Sequence, residues 1–180
     1  MKKLLIAIVL LAVVASLDAR PTGPTLAEAA QSQVGVTTIY DPSYVQLAYP
    51  GGDLPIERGV CADVIIRAFR RIGIDLQALV HEDMRRAFGA YPRSWGLHHP
   101  DANIDHRRVP NLMTFFVRRG KSLALSAPYE AGDIVAWRLP GGLYHIGMVV
   151  SGETVVHNIG QGARSESVLH AFTIIGHYRW

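Results

Sequence analysis

The sequence predicts an α+β fold, with helices in its first half packed on an antiparallel β-meander in its second. Two observations carry this. Between residues 60 and 72, Cys61, Ile65, Ala68, Phe69 and Ile72 recur at helical spacing as one apolar stripe. From Ile134 onward, β-branched and aromatic runs alternate with turns at Pro140-Gly141-Gly142 and Ser151-Gly152-Glu153.

The elements follow in order. Met1-Lys2-Lys3, an aliphatic run from Leu4 to Val14, and small residues at Ala15, Ser16 and Ala19 read as an export signal over residues 1–19. The apolar run is short for a membrane span, which takes about 20 residues, and no later segment could cross a bilayer. Residues 20–180 are expected as a single domain, periplasmic or secreted. Thr25 and Glu28 have capping-box spacing and open a short helix to about Val34. Residues 41–53 are rich in turn formers. A helix spans about Val60 to Ile72 and stops at Gly73, and Asp75 caps another, Leu76 to Phe88. A long polar loop, residues 90–108, is functional by its size. Val109 to Arg119 is helical. Strands are expected at Ile134–Leu139, Tyr144–Val150, Thr154–Ile159 and Phe172–Arg179.

Composition excludes some functions. A formal net charge of +3 without a clustered basic face does not mark a nucleic-acid binder. Removal of the signal would leave Lys121 as the only lysine, so the remaining positive charge is arginine, which either suits planar recognition of carboxylate or phosphate or simply reflects a GC-rich genome. Oligomeric state is not legible in the sequence.

The chain has one cysteine, Cys61. An exported protein with one thiol cannot close an internal disulfide, so the thiol is buried, paired with another chain, or used. Its place at a helix start favours use, because the N–H groups there stabilise a thiolate. A base is available on the strands. If Ser151-Gly152-Glu153 is a three-residue loop, Val150 pairs with Thr154. His157 then lies opposite Gly147, diagonal to His145 and on its face, within reach of a ring-to-ring hydrogen bond. A two-residue turn would separate them. In this reading Cys61 is the nucleophile, His145 the base, and His157 the residue that orients it. Asn158 or Gln161 could orient the base instead. The Cys61 backbone N–H would supply half of an oxyanion hole.

Supporting residues stay open. Asp63, in the first helical turn, either complements the helix dipole or bonds inside the cleft. Tyr49 either donates near the oxyanion or packs before its turn. In the long loop, Asp105 with Arg107 or Arg108 ties the chain down, and a remaining arginine meets a substrate carboxylate. His98, His99, Asp101, Asp105 and His106 lack metal-ligand spacing, so no metal and no cofactor are expected.

Several motifs resemble the NlpC-type cysteine peptidases. These are Tyr49-Pro50-Gly51-Gly52 ahead of Cys61, Gly132-Asp133-Ile134-Val135-Ala136-Trp137, His145-Ile146-Gly147-Met148-Val149-Val150, and Val156-His157-Asn158. The resemblance implies a papain-like fold and an exported cysteine hydrolase acting on peptidoglycan stem peptides through a thioester. Val60-Cys61-Ala62-Asp63 departs from that family's Asp-Cys-Ser-Gly, and the long loop is an addition. More closely, the mature chain resembles domain of unknown function 1287. That likeness rests on Arg58-Gly59-Val60-Cys61, His81-Glu82-Asp83-Met84, Asn103-Ile104-Asp105-His106-Arg107-Arg108 and His157-Asn158-Ile159-Gly160-Gln161-Gly162. Rival readings are an inactive wall-peptide-binding module of the same fold, an acyltransferase on a related scaffold, and a metal-dependent enzyme built on the 98–106 loop.

Overall fold

A computed structural model describes residues 25–180, so the expected export signal lies outside the described residues. Helix α1 (Leu26–Gln31) begins at a reciprocal cap: the Thr25 hydroxyl accepts from Glu28 N–H, and the Glu28 carboxylate accepts from Thr25 N–H. Helix α2 (Cys61–Arg71) is buried from Cys61 to Phe69. Helix α3 (Leu76–Ala87) starts at Asp75, whose side chain accepts from Gln77 N–H, and α4 (Val109–Arg118) has proline in its first turn. Each expected helix is present within a few residues of its expected bounds.

The sheet has five strands: β3 (Ile134–Arg138), β4 (Tyr144–Ser151), β5 (Thr154–His157), β6 (Arg164–Ser167) and β7 (Thr173–Tyr178). Their spatial order is β6-β5-β4-β3-β7, and all neighbours are antiparallel. The fold is therefore α+β. Strand β6 was not expected. Arg164-Ser165-Glu166-Ser167 is polar throughout because it forms one edge of the sheet and buries no apolar face. A short parallel pair, β1 (Ile39–Tyr40) with β2 (Arg58–Gly59), was also missed; it ties the turn-rich segment to the residues just before Cys61.

Period-two alternation divides the sheet's side chains. Ile134, Ala136, Ile146, Met148 and Val156 join the helices in the main core with Ile65, Phe69 and Phe116. Val135, Trp137, Val149 and Val155 form a smaller cluster with Leu169 on the other face.

The β4–β5 turn differs from the expected one, yet gives the same register beyond it. Ser151 pairs with Thr154 across a two-residue loop, Gly152-Glu153, with Gly152 at φ 51°. The register then shifts between Val149 and Ser151, leaving Val150 as a bulge, and resumes at Val149↔Val155 and Met148↔Val156. The next step sets His157 opposite Gly147. A Cβ on Gly147 would lie 2.7 Å from Val155 Cγ1 and 3.1 Å from His157 Cβ, so only glycine fits there.

Candidate active site

Cys61 is the first residue of α2, 6% exposed, and lines an open cavity of about 640 Å³. The extended Val60 and the buried aliphatic run behind it start the helix here. Asp63 reaches back so that its Oδ2 accepts from Val60 N–H at 2.7 Å. The Cys61 sulfur lies against β4, where the Ile146 N–H points to it across the peptide bond that links Ile146 to His145.

His145 and His157 are buried and joined: His145 Nε2 and His157 Nδ1 are 2.8 Å apart. The His145 ring stacks on Trp137, with centroids 5.5 Å apart. The line continues beyond the expected residues, since His157 Nε2 lies 2.8 Å from Glu166 Oε2 on β6. One tautomer set satisfies the whole line. His157 donates from Nε2 to Glu166, and His145 donates from Nε2 to His157 Nδ1. His145 Nδ1 is then left as an acceptor, the state a base for a thiol requires.

The resting charges differ from the sequence expectation of a stabilised thiolate. Burial pushes the Cys61 thiol up to about 11; the Ile146 N–H opposes this, and the charge of Asp63 adds to it. Burial also drives His145 down to about 3, helped by His157 beside it. The pair rests as neutral thiol and neutral imidazole, because the helix-start N–H groups do not outweigh desolvation.

The other expected residues separate into roles. Asp63 and Arg107 form a buried ion pair with Arg107 Nε 3.0 Å from Oδ1. Arg107 also donates to the Ser43 and Asp41 carbonyls, so it anchors the loop to the wall of the cavity. Asp105 is buried and accepts from Asp101 N–H, a tie within the loop, and burial pushes its carboxyl up to about 6. His106 is buried away from the cavity, where desolvation and then Arg70 and Arg107 drive its ring down to about 3.

Asn158 is also structural: its Nδ2 donates to Gly59 O at 2.9 Å and its Oδ1 accepts from Gly160 N–H. Gln161 lies beside a separate small pocket with His157, Arg164 and Glu166. Tyr49 is exposed, directed at Glu82 and His81, and does not line the cavity. Tyr40 and Tyr44 line it instead, together with Trp95, Arg108 and Tyr144. The phenol of Tyr40 is pushed up by burial first, with Cys61 and Asp63 as its neighbours acting in the same direction. The short run Thr37-Thr38-Ile39-Tyr40 before a turn was the signal that could have revealed it. Glu166 had no such signal.

The family described as "Domain of unknown function (DUF1287)" matches residues 27–180. An Escherichia coli (strain K12) protein described as "Uncharacterized protein YijF" is 54% identical over 168 residues, spanning 88% of this chain and 82% of its own. Among solved structures, the NlpC/p60 domain of peptidoglycan hydrolase SagA is similar at a TM-score of 0.44 and 17% identity, over 86% of this chain and 98% of that one. With the family match and the relative in agreement, the chain belongs to the DUF1287 family.

Proposed function

We propose that the protein is an exported cysteine hydrolase that opens an amide bond, with peptidoglycan stem peptides as its substrate class. The observation that carries the chemistry is the hydrogen-bonded line from Glu166 through His157 to His145, on the strand whose next residue, Ile146, turns its N–H to Cys61 at a helix start in an open cavity. The substrate class comes from the likeness of the Tyr49-Pro50-Gly51-Gly52, Asp133, His145 and His157 motifs to NlpC-type peptidases. Export follows from the amino-terminal signal pattern. No helix among the described residues is long and apolar enough to cross a membrane.

As the carbonyl carbon approaches Cys61, His145 Nδ1 takes the thiol proton and the sulfur forms the C–S bond. The tetrahedral oxyanion faces the Cys61 N–H at the start of α2. His145 then returns the proton to the leaving amine as the C–N bond breaks, which leaves a thioester. Water, deprotonated by the same nitrogen, adds to the thioester. Its collapse releases the acid and restores the thiol. His157 holds His145 in the required tautomer, and the Glu166 carboxylate does the same for His157. A neutral resting pair means that proton transfer accompanies attack, with no standing thiolate.

That neutral pair also supports the second reading, a wall-peptide-binding module without turnover. Digestion of purified peptidoglycan with wild type and Cys61→Ala, followed by mass identification of fragments, separates the two. Fragments formed by wild type alone support hydrolysis. Identical digests across several wall types would remove the peptidoglycan claim.

A further inference from the structure

We infer that Arg108 is the specificity residue of the cavity and that it selects substrates with a free carboxylate beside the scissile amide. This deepens the hydrolase reading and rests on it. The cavity containing Cys61 has aromatic walls, and no aspartate or glutamate lines it among the described residues. Its two lining arginines differ. Arg107 is neutralised by Asp63 at 3.0 Å. Arg108 forms no ion pair with a carboxylate among the described residues, and its Nη1 is buried with no hydrogen-bond partner. Asp105, three residues earlier, directs its Oδ2 to the Asp101 backbone; its Oδ1 is also buried without a hydrogen-bond partner, and its carboxyl feels the Arg108 charge without pairing to it.

A buried guanidinium nitrogen without a partner is costly unless something arrives to fill it. The guanidinium is also held in place. Its carbon sits 4.6 Å from the centroid of the Trp95 ring, a cation–π contact that holds it beside the cavity. Trp95 itself adopts φ 63°, a left-handed conformation that bulky residues rarely take, and remains 61% exposed at the cavity. Strain of this kind persists where a side chain is held for a purpose. A planar guanidinium with an unpartnered N–H matches a carboxylate bidentately. With no lining acid to counter it, the cavity favours anions and disfavours amines at the same position.

The test uses stem peptides released from peptidoglycan, in two pools: native, and with carboxyl groups converted to amides by carbodiimide coupling to ammonia. Binding is measured by equilibrium dialysis against full-length Cys61→Ala, which cannot turn them over. The native pool should bind at least tenfold more tightly than the amidated pool. Arg108→Gln in that background should remove the preference, and Arg108→Lys should restore only part of it. Trp95→Ala should weaken binding of the native pool without abolishing the preference. Thermal melting confirms that each variant is folded.

Equal binding of the two pools, or binding of neither, would overturn the inference. So would a preference that survives Arg108→Gln. Failure of the hydrolase reading looks different: wild type would release no fragments while Cys61→Ala still chose acid over amide through Arg108.

Discussion

His157 and His177 each meet a carboxylate at close range, 2.8 Å from Glu166 and 2.7 Å from Asp133. Their second neighbours differ. His177 places its other nitrogen 3.2 Å from the Ala124 carbonyl, so both nitrogens face acceptors and the ring has nowhere to pass a proton. Asp133 is 1% exposed and is also gripped by Arg179 and the Glu130 N–H. Tyr129 stacks on the His177 ring at 3.9 Å. That assembly is closed and structural. His157 instead turns its second nitrogen to another imidazole, which can donate or accept, and its carboxylate is 39% exposed. The same pair of groups fixes a sheet in one place and orients a base in the other, and the partner of the second nitrogen decides which.

The comparison can be broken at either end. The largest expected effect is His145→Ala, which should cut peptide release by about 10⁴-fold or more while the protein stays folded. Asp133→Asn comes next and acts on stability. Removing one partner from a buried charge cluster costs about 3–5 kcal/mol, which should lower Tm by roughly 10 °C in a thermal melt. Below that melting point kcat should hold within about twofold, because nothing in the Asp133 cluster reaches the cavity. Glu166→Gln should do the reverse: kcat falls about tenfold with KM nearly unchanged and a Tm loss well below that of Asp133→Asn, since the Glu166 carboxylate is 39% exposed and solvent screens it, whereas Asp133 is 1% exposed. A Tm loss in Glu166→Gln as large as in Asp133→Asn would erase the distinction.

The smallest effect is on pH and stability. His145 and His106 are held near 3, below the ordinary imidazole value of 6.5. The unfolded chain therefore binds protons that the folded one refuses between those limits. Stability from these two groups is complete above about pH 6.5 and is lost as pH falls toward 3. Asp105, raised to about 6 from 3.8, works the other way: its contribution is present below 3.8 and lost as pH rises through 6. Two groups against one should make Tm fall between pH 7 and 5. Asp105→Asn should raise Tm at pH 7.5 and leave it unchanged at pH 3.5, both read by calorimetry.

What the sequence made legible follows from periodicity. The stripe from Cys61 to Ile72 placed the thiol at a helix start because buried helical faces repeat at a fixed spacing. Alternation along β4 and β5 brought His145 and His157 to one face, although by a different turn: a two-residue loop with a bulge at Val150 gives the same pairing as a three-residue loop. Period-two patterning cannot tell these apart. Glu166 was illegible because β6 is an edge strand with no apolar residue to mark it. Tyr49 and His106 were misplaced because loops follow side-chain ties, such as Arg107 to Asp63, that no local pattern announces. Arg107 and Arg108 are adjacent and alike in sequence, and only their partners separate the ion-paired anchor from the guanidinium without a carboxylate.

The central claim is that Cys61 becomes acylated with His145 as its base. Wild type, Glu166→Gln, His145→Ala and Cys61→Ala are incubated with stem peptides, quenched in acid, digested, and mapped by mass spectrometry. The account predicts an acyl adduct on the peptide containing Cys61, formed about tenfold more slowly in Glu166→Gln and absent in His145→Ala. Peptide release by wild type without an adduct at Cys61, and undiminished in Cys61→Ala, would contradict it.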